Sequence, residues 1–178
     1  MKHFRIFVLL FILTNCHLYA DKEGPQNSYV TSSINGRFYF RMEPDLSAPF
    51  DRKKGSGTLF EVQNDGNDVV LWKTEGWYSF KTFICHEGRY LVRIGNWPRG
   101  RELSDTHLAI AFYDKGILLK KYSTKQLIEN PKTIKKSVSH YFFINKVIGF
   151  DPSYSHQFKL ETIDGRTHTF DVKTGNKI

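Results

Sequence analysis

Cysteine is scarce in this sequence, with two residues among 178. Cys16 lies in an N-terminal segment that we expect to be removed or chemically modified, which leaves Cys85 without a partner for an internal disulfide. The fold therefore has to be held together by a hydrophobic core. The remaining chain of about 158 residues is long enough for one such domain.

Long apolar runs are also missing. The run IFVLLFIL at residues 6–13 is far below the ~20 residues that a membrane-spanning helix needs. It follows a basic start and precedes the small residue Ala20, so we interpret residues 1–20 as a signal peptide. LTNC resembles a bacterial lipoprotein box and offers a second route, cleavage before a lipidated Cys16. Residues 21–28 are predicted to be a tether, and residues 29–178 a single β-rich domain.

Compact catalytic and metal-binding motifs are absent. There is no Gly-x-Ser-x-Gly elbow, no His-x-x-x-His pair and no paired-cysteine spacing, and KKGSGT at residues 53–58 lacks the ending of a phosphate-binding loop. We therefore predict no catalytic residue, no metal and no cofactor. In SVSHYFF, Ser139 and His140 would point to opposite faces of a strand, so we do not expect them to pair. Cys85 follows the apolar TFI and is predicted to be buried rather than reactive.

The charge is unbalanced toward the positive. Lys and Arg number 26 against 18 Asp and Glu, which gives a formal net charge of +8, or about +6 once Lys2 and Arg5 leave with the signal peptide. Such a charge favours anionic partners, for which we name an acidic glycan or lipid. Nucleic acid is disfavoured because the protein is expected to leave the cytoplasm.

Aromatic residues are plentiful, at 15% of the chain, and short apolar alternations recur between turn residues. No longer window shows a helical apolar period. HLAIAFYDKGILLKKY is typical of a hairpin, for which we predict a three-residue loop, Asp114 to Gly116, with Phe112 opposite Leu118. Both faces of this hairpin are apolar, so we expect it to be buried on both sides at the centre of the sheet.

The C-terminal HQFKLETIDGRTHTFDVKTG predicts a second hairpin. A loop with an odd number of residues, centred on Gly165, brings four apolar side chains onto one face, whereas an even loop divides them between two faces. We therefore predict three or five loop residues. The four side chains are Phe158, Leu160, Phe170 and Val172.

One short helix is predicted near residues 123–130. Ser123 and Gln126 have the spacing of a capping box, and Pro131 lies just beyond the expected end.

Two segments, EGRYLVRIG and DGRTHTFDVKTG, resemble strand–turn units of secreted bacterial propeller-type proteins of the TolB and WD40-like kind. The resemblance implies four-stranded blades, but the chain is too short for a complete propeller of at least four of them. The predicted fold class is all-β, with antiparallel sheets arranged as a sandwich or a partial propeller-like stack.

The segment GRYLVRIGNWPRG is a strand followed by a loop, and it carries the residues we single out for ligand binding. Trp97 in the loop either seals the edge of a core or joins the nearby arginines 93, 99 and 101 in a surface for a sugar or an anionic group. A second aromatic candidate follows Gly76, where a core position is the competing interpretation. The candidate ligand-binding residues are Arg93, Trp97, Arg99, Arg101 and Trp77.

These features lead to one hypothesis and two alternatives. The first is an exported envelope protein, periplasmic, membrane-anchored or secreted, that works as a non-enzymatic binding or structural module. The second is a hydrolase of envelope polymers, which needs two carboxylates in one groove; the available acids are Glu61, Asp65, Glu75, Asp105 and Asp151. The third is a basic-face receptor for acidic glycan or lipid, built from Arg89, Arg93, Arg99 and Lys120 or Lys121.

Overall fold

The computed structural model describes residues 23–47, 54–153 and 156–178. The predicted signal peptide and its candidate lipidation site, Cys16, lie outside the described residues. Within the predicted tether, residues 23–28 form no helix or strand. Asn27 nevertheless binds the domain, because its backbone N–H donates to the Tyr78 hydroxyl and its carbonyl accepts from the same hydroxyl.

The described part of the chain contains three four-stranded antiparallel sheets and one two-stranded sheet, and each is built from strands that follow one another in sequence. Sheet 1 contains β1 (Tyr29–Ser32), β2 (Phe38–Pro44), β3 (Gly55–Glu61) and β4 (Val69–Glu75). Sheet 2 contains β5 (Thr82–Ile84), β6 (Tyr90–Ile94), β7 (Leu108–Asp114) and β8 (Ile117–Ser123). The helix α1 (Thr124–Leu127), a 3₁₀ turn (Pro131–Thr133) and the short paired strands β9 (Lys135–Lys136) and β10 (Tyr141–Phe142) follow. Sheet 3 contains β11 (Ile144–Phe150), β12 (Gln157–Thr162), β13 (Thr167–Asp171) and β14 (Asn176–Lys177).

Sheet 2 lies in the middle of the stack, because alternate residues of its strands enter two different cores. In β6, Val92 packs toward sheet 3 while its neighbour Leu91 packs toward sheet 1. The core between sheets 1 and 2 includes Phe40, Met42, Leu59, Leu91, Ala111 and Tyr113. The core between sheets 2 and 3 includes Val92, Ile110, Phe112, Phe158, Leu160 and Phe170. The predicted fold class, all-β with antiparallel sheets and one short helix, is confirmed.

The short helix forms as its capping box predicts. Ser123 is the N-cap: its hydroxyl accepts from the Gln126 backbone N–H, and its own backbone N–H donates to the Gln126 side chain. Only one turn, Thr124–Leu127, is helical before the chain leaves toward Pro131.

The C-terminal hairpin has the predicted odd loop. The Thr162 N–H donates to the carbonyl of Arg166, which leaves three residues, 163–165, in the loop, with Gly165 at φ 79°. As a result the four predicted apolar side chains share one buried face, and each is fully buried: Phe158, Leu160, Phe170 and Val172.

The β7–β8 hairpin differs from the prediction. Its loop has two residues, Lys115 at φ 47° and Gly116 at φ 80°, because Asp114 pairs with Ile117. Two consecutive positive φ angles are typical of the type I′ turn, which matches the twist of the strands. The predicted opposition of residues 112 and 118 is therefore wrong, since residue 113 pairs with Leu118.

The prediction that the whole hairpin is buried on both sides holds for only one of its two strands. Strand β7 is buried on both faces, as expected for an inner strand. Strand β8 is an edge strand instead, and its apolar start is exposed. Three consecutive apolar side chains point at least partly into solvent: Ile117, Leu118 and Leu119.

Candidate ligand-binding cleft at Arg93

A cleft of about 610 Å³ opens where the end of β4 meets sheet 2. Trp77, Arg93 and Tyr113 are among the residues that line it from the core side. Charged residues line its exposed side, and they are Glu75, Asp105 and Lys121. A volume of this size lies within the range of small-molecule binding sites.

Arg93 reaches the cleft because of its place in β6. It pairs with Thr82 and Ala111 and extends toward sheet 1. Its guanidinium carbon lies 4.4 Å from the centroid of the Trp77 ring, a cation–π distance. Nη1 donates one long hydrogen bond, 3.5 Å, to the Tyr113 hydroxyl.

The charge of Arg93 has no carboxylate partner within residues 23–47, 54–153 and 156–178. Among the residues that the structure describes, none forms an ion pair with it. Its Nε atom is shielded from solvent and has no hydrogen-bond partner in the described part of the chain. Polar atoms in that position usually have a partner, and a guanidinium presents five donors in a planar fork. The shielded Nε is closed to a ligand in the cleft, so the Nη groups, which are not shielded in this way, are the donors that an anionic group there would meet.

Tyr29 lies near Arg93 but supplies no negative charge. Its hydroxyl donates to the carbonyl of Ser79 at 2.9 Å. Burial raises the pKa of Tyr29 to about 12, with the opposing charge of Arg93 a smaller influence. The phenol is neutral at physiological pH, so it does not balance the guanidinium.

Trp77 belongs both to the core and to the cleft. Its side chain is 8% exposed, and its Nε1–H donates to the Thr74 hydroxyl at 3.2 Å. The ring also packs at 5.3 Å from the ring of Tyr113. Thr74 and Gly76, at φ 84°, start the turn that brings the tryptophan back over sheet 2.

Two of the acids considered for hydrolysis, Glu75 and Asp105, line this cleft together. Both residues are exposed, and the Asp105 carboxylate pairs with Lys125 at 3.0 Å. The other candidate acids have contacts elsewhere: Glu61 pairs with Arg37, Asp65 caps its own turn, and Asp151 pairs with Lys159.

The remaining predicted ligand-binding residues lie outside the set that lines the cleft. The Trp97 ring stacks on the His140 ring, with centroids 3.7 Å apart and an interplanar angle of 10°. Arg99 forms a backbone bridge with His140, and Arg101 is exposed on the following turn. The sequence-based set therefore divides into Trp77 and Arg93 at the cleft, Trp97 and Arg99 at His140, and Arg101 on the following turn. Nothing in the linear sequence marks this division. Arg93 stacks on Trp77 and His140 stacks on Trp97, and in each case the two residues come from separate segments of the chain.

His140 contacts both nearby serines, contrary to expectation. Its Nδ1 lies 2.7 Å from the Ser137 hydroxyl and 3.4 Å from the Ser139 hydroxyl. The alternation argument fails because residues 137–139 form a bend rather than a strand. His140 is 1% exposed, and its Nε2 has no hydrogen-bond partner among the described residues. The third group that would orient a catalytic base is thus not seen in the described part of the chain.

The remaining histidines and Cys85 have structural surroundings. His156 Nε2 lies 3.0 Å from a carboxylate oxygen of Glu87, and His86 Nε2 lies 3.8 Å from the same oxygen. Within residues 23–47, 54–153 and 156–178, no group of three or more potential ligands is arranged to hold a metal ion. Cys85 is fully buried, and its Sγ accepts from the Tyr90 N–H at 3.1 Å.

The proposed basic face is not assembled as one cluster of free charges. Both ends of the Arg89 guanidinium bind the Asp114 carboxylate, at 2.8 and 2.7 Å. Arg93 lies in the cleft, and Lys120 donates to the Asn176 side chain at 2.6 Å.

The chain matches no family model and no curated protein. In the described ranges, no helix has the length and apolar character needed to cross a membrane.

Proposed function

We propose that this protein is an exported envelope module that binds a small anionic group in the cleft at Arg93 and does not transform it. The observation that carries this proposal is the guanidinium that stacks on Trp77 and faces the cleft without a carboxylate partner among the described residues. Desolvation of an uncompensated charge is costly, and a ligand that supplies the opposite charge removes that cost.

The geometry favours an acidic sugar over a simple inorganic anion. Tyr122 is half-buried and lines the cleft, and an aromatic side chain of this kind packs well against the apolar face of a sugar ring. The fork of Arg93 suits a carboxylate or sulfate group. Glu75 and Asp105 at the exposed side offer acceptors for sugar hydroxyls.

The test is a titration of the full-length protein with an oligosaccharide of uronic acids, followed by tryptophan fluorescence and calorimetry. Arg93→Met should raise Kd by about tenfold or more, because a hydrogen bond to a charged group contributes about 1.5–3 kcal/mol. Arg93→Lys should recover only part of the affinity, since a lysine lacks the planar fork. Arg99→Met is the matched control, because Arg99 is exposed and bridges to His140, outside the residues that line the cleft.

Two results would contradict the proposal. One is equal binding of the acidic oligosaccharide and of a neutral counterpart in which the carboxyl groups have been reduced to alcohols. The other is an Arg99→Met protein that loses as much affinity as Arg93→Met.

A second candidate, a hydrolase of envelope polymers, rests on the presence of Glu75 and Asp105 in one cleft. Glycosidases place their acid in hydrophobic surroundings. Here both residues are exposed, and one is ion-paired. Incubation with peptidoglycan and acidic glycans should therefore release no product. Release that is lost in both Glu75→Gln and Asp105→Asn would establish the hydrolase instead.

A further inference from the structure

The outer edges of sheets 1 and 2 expose an unusual run of apolar side chains. Strands β4 and β8 are the fourth strands of their sheets, and no strand of the described residues lies on their outer side. Each contributes three consecutive apolar residues that are between 40% and 73% exposed. We call this surface the apolar rim; it consists of Val69, Val70, Leu71, Ile117, Leu118 and Leu119.

The same irregularity occurs in both strands. Trp72 pairs with Leu59 and Val70 pairs with Phe60, so Leu71 is an extra residue in β4. In β8, Lys120 pairs with Phe112 and Leu118 pairs with Tyr113, so Leu119 is an extra residue in the same way. Both extra residues are leucines, and they are exposed to a similar extent, 41% and 40%.

The two edges adjoin each other. A Cβ atom built on Gly116, at the start of the β8 hairpin, would lie 2.3 Å from the carbonyl oxygen of Lys73 in β4. Leu118 also lines the Arg93 cleft together with Glu75 at the end of β4. The apolar rim is therefore one surface beside the mouth of the cleft.

Lysines flank the β8 side of this surface. Lys73, Lys115 and Lys121 are exposed, and Lys120 is half-buried against sheet 3. Strand β8 itself contains no acidic residue, and Asp114 at its turn is neutralised by Arg89. Glu75, at the cleft, is the one acid in β4, and Asp65 and Asp68 in the preceding turn both accept hydrogen bonds from neighbouring groups of the protein. Apolar side chains flanked by lysines are complementary to the interface of an anionic bilayer.

The bulges argue against an added protein strand as the occupant. An incoming strand needs a regular row of N–H and C=O groups along the edge, and a bulge interrupts that row. A bilayer interface has no such requirement, since water and headgroups hydrogen-bond to the edge. We infer that the apolar rim docks on the surface of an anionic membrane, with the leucines at the boundary between headgroups and acyl chains and the lysines at the level of the phosphates.

The test locates the rim directly. A Cys16→Ser full-length protein, in which the buried Cys85 is shielded, is labelled with an environment-sensitive fluorophore at Leu119→Cys. The matched control carries the label at Ile34→Cys, which is also exposed, at 77%, but lies between β1 and β2. Vesicles of phosphatidylglycerol with phosphatidylcholine are compared with vesicles of phosphatidylcholine alone, with and without brominated acyl chains.

The expected result is a blue shift at residue 119, and quenching by brominated lipid, with the anionic vesicles only. The label at residue 34 should stay in water with both kinds of vesicle. This holds even where residues 1–22 bind the vesicles, because the label reports only on its own surroundings. Leu71→Gln in the labelled protein should weaken the response at least about fivefold, and 0.5 M salt should weaken it further. Val138→Gln should leave it unchanged, because Val138 is equally apolar and 78% exposed but lies in the bend between β9 and β10, outside the rim.

Three outcomes would overturn the inference. The first is a label at residue 119 that remains in water with anionic vesicles. The second is equal insertion of the label at residue 34. The third is a response that appears without vesicles and grows with protein concentration, which would assign the rim to a second copy of the chain.

Discussion

The guanidinium of Arg93 lies over the indole of Trp77, 4.4 Å from its centroid, although one residue is in β6 and the other in the connection between sheets 1 and 2. The indole is held by the core, whereas the guanidinium borders the cleft. The pair therefore combines a residue needed for folding with a residue whose charge folding leaves uncompensated. Replacing Arg93 should therefore affect ligand binding but not stability, whereas replacing Trp77 should lower the stability of the fold.

Arg93→Met should leave the free energy of unfolding within about 1 kcal/mol of the original value, because an apolar chain still covers the indole and no ion pair is lost. Trp77→Ala should lower it by about 3–5 kcal/mol, the cost of truncating a large core aromatic. Urea unfolding followed by circular dichroism measures both values. A large loss of stability in Arg93→Met would show that the arginine serves the fold rather than the cleft.

The turn of the β7–β8 hairpin offers a matched pair of glycines. Gly116 and Gly66 both have φ +80°, but only Gly116 is close to another segment, the carbonyl of Lys73. Gly66→Ala should cost about 1–2 kcal/mol, the penalty for a side chain in the left-handed region. Gly116→Ala should cost clearly more, because its new methyl group also displaces β4 from β8. Equal losses in urea unfolding would mean that the two edges adjust freely to each other.

The two hairpins show how far the sequence determines this fold. In the C-terminal hairpin, four apolar positions require an odd loop, so parity alone gave the right register. In the β7–β8 hairpin, a bulge at Leu119 absorbs one residue and allows a two-residue turn. A bulge leaves no mark in an apolar pattern, since the residues around it are apolar on both faces. The exposure of β8 was missed for the same reason: hydrophobicity alone does not distinguish an edge strand from an inner one.

The candidate site was predictable only in part. The alternation of β6 places Arg93 on one face of a strand, and Trp77 follows a glycine turn, so both residues could be selected from the sequence. Their contact could not be predicted, because it depends on how sheet 1 stacks on sheet 2. The contact between Trp97 and His140 could not be predicted either. It joins two distant segments that meet at an isolated bridge between Arg99 and His140.

The thiol of Cys85 should be protected in the folded protein. It is fully buried between sheets 2 and 3 and accepts a hydrogen bond from Tyr90. In a Cys16→Ser protein, a thiol reagent such as DTNB should therefore react at the rate at which the domain opens, and immediately in 8 M urea. Reaction of the native protein as fast as that of a free thiol would contradict the burial.

His168 should make the protein sensitive to mild acid. It is 1% exposed, and its Nε2 lies 3.1 Å from the Thr162 hydroxyl. Burial lowers the pKa of His168 below its ordinary value of 6.5, with Lys177 as a further cause, while Asp164 and Glu129 oppose the shift. Between that lowered pKa and about 6.5, the unfolded chain binds a proton that the folded chain does not. The stability contributed by the neutral imidazole is therefore fully present above pH 6.5 and decreases as the pH falls below it.

The measurement is urea unfolding at intervals between pH 7.5 and 5, above the range in which most carboxylates titrate. One such proton can lower the free energy of unfolding by at most about 1.4 kcal/mol per pH unit. His168→Gln retains an amide that can bind Thr162 but removes the titrating group, so its stability should depend less on pH over this range. His86→Gln is the control, because it likewise replaces one imidazole by an amide, at a side chain that is 35% exposed. If His168→Gln and the unaltered protein lose stability in parallel, the acid sensitivity arises elsewhere in the fold.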